Sequence, residues 1–111
     1  MSFEIKTIEV FDRQAKRLAK HYASFKQDYK DFLDELRKNP LAGTDLGGGV
    51  RKVRMAITSK GKGKSGGARV ITYTADVIVC AEQGQIVLLS MFLITIRLQL
   101  LLASNQAQSL L

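Results

Sequence analysis

The chain changes its hydrophobic period once, near residue 40, and that change limits the folds open to it. Before it, Phe11, Ala15, Leu18, Ala19 and Tyr22 fall at i, i+4, i+7, i+8 and i+11, and Phe25, Tyr29, Phe32, Leu33 and Leu36 repeat the same offsets. Such spacing draws one apolar stripe along each of two helices. Ser24 stands where an N-cap is wanted, and Lys38-Asn39-Pro40 supplies a stop, because the residue before proline disfavours helix. After it the period is two. Val50, Val53, Met55 and Ile57 interleave with Lys52, Arg54 and Thr58; residues 69 to 81 carry Val70, Ile71, Tyr73, Val77 and Val79; residues 86 to 92 form a third run. Residues 41 to 49 are a glycine-rich loop, 60 to 67 a flexible turn, and 82 to 85 a hairpin signal. At the start, Phe3, Ile5, Ile8 and Val10 alternate imperfectly with Glu4, Lys6 and Glu9, which predicts a short first strand. The expected architecture is α+β: an N-terminal strand, an antiparallel two-helix hairpin, then a three-stranded antiparallel meander packed on the helices.

A chain of 111 residues has room for one core, and a single domain is expected. Residues 86 to 102, IVLLSMFLITIRLQLLL, raise the question of a membrane span. Arg97 and Gln99 interrupt that run, and ITIRLQL alternates with period two, so an extended strand is the better expectation. The N-terminus offers no apolar stretch of signal-peptide length, so a cytoplasmic protein is expected. Cys80, the one cysteine, sits in the apolar run DVIVCA and reads as a buried structural thiol. His21, the one histidine, lacks companions for a zinc site and reads as a solvated or partly packed side chain.

Charge supplies the functional signal. Residues 1 to 45 hold nine basic and eight acidic side chains, whereas residues 46 to 75, LGGGVRKVRMAITSKGKGKSGGARVITYTA, hold seven basic and none acidic. The net charge of +7 is therefore local. A concentrated basic surface attracts polyanions and binds them with affinity that falls with salt. Lys52 and Arg54 are two residues apart and share a strand face; Arg69, on the neighbouring strand, is expected beside them. Like charges so close repel, and a surface that tolerates them has an anionic partner. GKGKS is not a phosphate-binding P-loop, since the glycine required at position 58 is threonine and a strand, not a helix, follows. Lys60, Lys62 and Lys64 instead make a cationic loop.

The residue types narrow the reaction. No carboxylate lies between Asp45 and Asp76, so a two-metal nuclease site is not expected in this patch and no cofactor is invoked. Metal-free RNA cleavage stays open, with the ribose 2′-hydroxyl attacking the adjacent phosphate while cations stabilise the developing charge.

The string LGGGVRKVRMAITSKGKGKSGGARVITY, together with FDRQAKRLAKHYASFKQDYKDFLDELRKNPLAGTDLG before it, resembles the RelE/ParE superfamily of toxins from bacterial toxin–antitoxin modules, in particular its RelE/HigB-like branch, over residues 3 to 91. The resemblance implies a small α+β fold, cleavage of mRNA on the translating ribosome without metal, and neutralisation by a cognate antitoxin. By position it makes Lys52, Arg54 and Arg69 the phosphate-binding and catalytic cations, and Arg51, Lys60, Lys62 and Lys64 the RNA-binding ones. One departure stands out: Phe92 occupies the place of a family tyrosine, and an apolar tail replaces a polar one. Translation in a shifted frame from about residue 92 would account for both. The alternatives are a gyrase inhibitor of the ParE kind and a non-catalytic nucleic-acid-binding protein.

Overall fold

A computed structural model of the chain describes residues 3–60 and 66–94. Strand β1 (Glu4–Thr7) leads into helices α1 (Glu9–His21) and α2 (Phe25–Lys38), after which β2 (Thr44–Gly47), β3 (Val50–Met55), β4 (Ala68–Tyr73) and β5 (Gln85–Leu93) follow. The strands form one five-stranded sheet in the order β1-β5-β4-β3-β2. β1 runs parallel to β5 and every other pairing is antiparallel.

The α+β class holds, but the sheet is five-stranded and mixed rather than a first strand and a separate three-stranded meander. β2 is the unexpected member. It lies in the glycine-rich segment read as loop, all four of its residues are exposed, and it has no apolar alternation by which to be recognised. Its backbone pairing with Lys52 and Arg51, not burial, makes it a strand.

Both helical stripes face the sheet as their spacing predicts, except at Ala19, which is exposed. Phe11, Leu18, Phe25, Phe32 and Leu36 pack against Val53, Met55, Ala68, Val70, Ile86, Leu88 and Met91 on one face of the sheet. Phe11, Leu36, Met55 and Ile57 are almost wholly out of water, each adding about 1.5–3 kcal/mol of hydrophobic stabilisation. Tyr29 joins this layer, stacked on Phe25 with ring centroids 5.7 Å apart. Burial, and then the negative charge of Asp12, raises its phenol above the ordinary range, with Arg37 opposing.

Three further expectations are corrected. Ile8 and Val10 are exposed, because the helix begins at Glu9 and cuts the first strand short. Ser24 is the N-cap residue of α2, as expected, but it has helical backbone angles and forms no side-chain cap bond; its hydroxyl serves another purpose, given below. The strand foreseen over residues 69 to 81 ends at Tyr73. A turn follows, then a bridge between Ile78 and Gln83 encloses a short 3-10 segment, Val79–Ala81, with Glu82 left-handed at φ 50°. Cys80 is therefore exposed, not a buried thiol.

No helix among the described residues is long and apolar enough to cross a membrane. Past a register shift between Ile71 and Thr72, β5 stays paired with β4 as far as Leu93, opposite Ala68, and Ile94 is still bonded to Gly67. The strand expected over ITIRLQL lies outside the described residues.

Candidate nucleic-acid interface

Antiparallel register decides whether the basic residues meet. Arg54 lies directly opposite Arg69, Lys52 opposite Ile71 and Val50 opposite Tyr73. Residues paired in this way project from the same face, and so do residues two apart on one strand. Lys52, Arg54 and Arg69 therefore share a face, the one turned away from Val53, Met55, Ala68 and Val70 and hence away from the helices. The pairing of β4 with β5 adds Phe92 beside Arg69. A row Arg54, Arg69, Phe92 thus crosses three strands, with Lys52 one step along at roughly 6.6 Å.

Arg54 is exposed, while Lys52 and Arg69 are half-buried. Among the described residues no ion pair within 4.0 Å involves any of the three. The Nε of Arg69 is buried with no hydrogen-bond partner, a donor left over beside a second guanidinium. A buried donor without an acceptor costs about 1–3 kcal/mol, so an anion bound there would recover that energy as well as relieve the repulsion. Acids are not far away. Arg54 also lines an open cleft of about 610 Å³ with Glu35, Lys38, Lys52 and Thr44, and a smaller one with Asp28, Asp31 and Glu35, where β3 outruns β2.

The other basic residues take different places. Arg51 pairs with Thr72, which is buried towards the helices, and so projects opposite to Lys52 and Arg54. Its guanidinium is used within the protein, donating to the carbonyls of Ala42 and Gly43 at 3.4 Å and lying 4.0 Å from Asp45. Lys60 places its ammonium 5.8 Å from the centre of the Tyr22 ring, a cation–π contact at the helix-hairpin turn. Lys62 and Lys64 lie outside the described residues.

The root of this loop is anchored. Thr58 donates to the Asp28 carboxylate from its amide at 2.8 Å and its hydroxyl at 2.6 Å, and the Ser24 hydroxyl adds a third bond at 2.7 Å. Ser24 in turn accepts from the Ser59 amide at 2.8 Å. Burial pushes the Asp28 carboxyl up, but the bonds from Thr58 and Ser24 outweigh it and hold the group below its ordinary value.

Tyr73 escaped the sequence reading as a site residue. It shares the face of Arg69 and Ile71 by alternation and lies diagonal to Lys52, a distance within reach of long side chains. The period-two pattern of residues 69, 71 and 73 was the available signal. No known protein-family model matches this chain. Among the described residues no group of three His, Cys, Asp or Glu side chains is placed to hold a metal ion.

Proposed function

We propose that Lys52, Arg54 and Arg69 hold the phosphate backbone of RNA, and that the chain is a ribosome-dependent mRNA endoribonuclease of the RelE-like toxin kind, restrained in the cell by a cognate antitoxin. One observation carries the reading: the register that sets Arg54 against Arg69 on the helix-free face, with no carboxylate among the described residues ion-paired to either. The reaction suited to such a face forms a bond from the ribose 2′-oxygen to phosphorus and breaks the bond from phosphorus to the 5′-oxygen. The 2′-hydroxyl proton leaves and a proton reaches the 5′-oxygen. Paired guanidinium groups suit the charge that gathers on the non-bridging oxygens. Phe92 has no proton to move. Lys52 and Tyr73, on the same face, do.

Phe92 also favours a second reading, a non-catalytic binder of RNA or DNA or an inhibitor of gyrase, since it places a stacking surface beside Arg69 without a hydroxyl. In vitro translation with mapped mRNA 5′ ends separates these. The nuclease gives cuts in translated messages, reduced about 10²–10³-fold in Arg69→Ala. Salt-sensitive RNA binding without cuts selects the binder, and inhibition of DNA supercoiling without cuts selects the gyrase inhibitor.

A further inference from the structure

An antiparallel sheet with helices on one side ordinarily turns polar side chains out on the other. The helix-free face here departs from that. Val50, Ile71, Tyr73, Val87 and Phe92 all lie on it by register, each half-buried. None of them belongs to the core or to its margin, where the partly buried Ile5, Tyr29 and Leu93 are found. Strand pairing sorts the face into rows. Arg54, Arg69 and Phe92 make the first, Lys52 and Ile71 the second, and Val50, Tyr73 and Val87 the third, with successive rows roughly 6.6 Å apart.

The face is divided lengthwise by chemistry. Lys52 and Arg54 stand along β3; Ile71 and Tyr73 on β4 and Phe92 on β5 form the apolar side, and Arg69 joins the two. Among the described residues no carboxylate is ion-paired to any of these three cations. A ligand that fits must be anionic along one edge and flat and apolar along the other. A nucleic-acid strand with unstacked bases is built in that way, whereas a duplex turns its base faces inward and presents phosphates and 2′-hydroxyls. We infer that one single strand of RNA lies along β3, its phosphates over Lys52 and Arg54 and its bases turned over β4 and β5. There Phe92 and Tyr73 each stack one base, and Ile71 underlies the base between them. Such a platform takes three unpaired nucleotides and tolerates any sequence, because every base has a π-face. The inference rests on the polynucleotide reading above and adds to it the strandedness of the ligand, its path and the residues that hold its bases.

The test is fluorescence anisotropy at physiological salt with a labelled twelve-nucleotide RNA of mixed sequence in three forms: single-stranded, annealed to its complement, and abasic throughout. The intact single strand should bind about tenfold tighter than the duplex or the abasic strand, which keeps every phosphate and offers nothing to stack. Tyr73→Leu and Phe92→Leu should each weaken the intact strand about tenfold and leave the abasic strand unchanged, while Tyr73→Phe, which keeps the ring, should bind as wild type does. The comparison among RNAs needs no substitution and decides the matter even where a variant fails to fold. Equal affinity of the wild type for intact and abasic strands, tighter binding of the duplex, or intact-strand binding undiminished in both leucine variants overturns the platform. Should no RNA bind, or Arg69→Ala leave every affinity unchanged, the polynucleotide reading itself fails and the apolar side of the face is left to a protein partner.

Discussion

Asp28 is a carboxylate that folding takes out of bulk water and supplies with three protein donors. Its pKa is held below the unfolded value, so its contribution to stability is fully present above about pH 4 and is lost as pH falls through the lowered folded value. Replacing it removes the acceptor for the Thr58 amide and for two hydroxyls at once. Asp28→Ala should therefore destabilise the protein by about 1.5–3 kcal/mol in urea denaturation at pH 7, and the difference from wild type should shrink when the titration is repeated at pH 3. Cys80 offers a second check at this scale. Exposed in the short segment between β4 and β5, it should react with a small thiol reagent in native buffer about as fast as in urea. A buried thiol would be protected by orders of magnitude.

At the scale of elements, the join between β3 and β4 places the two arginines. Gly67 lies against the carbonyl of Met55, and a Cβ there would overlap that oxygen and crowd the Ile57 amide. Gly67→Ala should force the ends of β3 and β4 apart, cost about 1–3 kcal/mol and weaken RNA binding, because Arg54 and Arg69 sit one residue from the Met55–Ala68 pair. A thermal melt and an RNA titration on the same sample check both effects. The helices and the three main strands were legible because burial of one face imposes a period, and Phe11, Leu36, Val53 and Val70 carry it. β2 was not, since Thr44, Asp45, Leu46 and Gly47 are all exposed and pair only through backbone. For the site, the shared face of Lys52 and Arg54 followed from spacing. That Arg69 stands opposite Arg54, and not Lys52, needed the register, whereas the departure of Arg51 to the other face was already implied by its place one residue before Lys52.

Across the whole molecule, the question is how much of the +7 net charge acts on a polyanion. Four basic side chains have an acid at hand: Arg13 pairs with Glu9, Arg37 with Asp34 at 3.2 Å, Arg51 lies 4.0 Å from Asp45, and Lys6 is 4.0 Å from Glu4. Exposed pairs of this kind contribute little to stability, but each removes a charge from the far field. Among the described residues, the cations of the helix-free sheet face outside those pairs are Lys52, Arg54 and Arg69, so binding of a single strand across that face should release on the order of three counterions. The logarithm of affinity should then fall against the logarithm of salt with a slope of about −2, and Arg69→Ala should reduce that slope by about 0.7. Arg51→Ala should leave the slope almost unchanged, because its guanidinium lies on the opposite face and is occupied by Ala42, Gly43 and Asp45. A slope equally sensitive to both substitutions would mean that charge summed over the molecule, rather than one face of the sheet, attracts the nucleic acid.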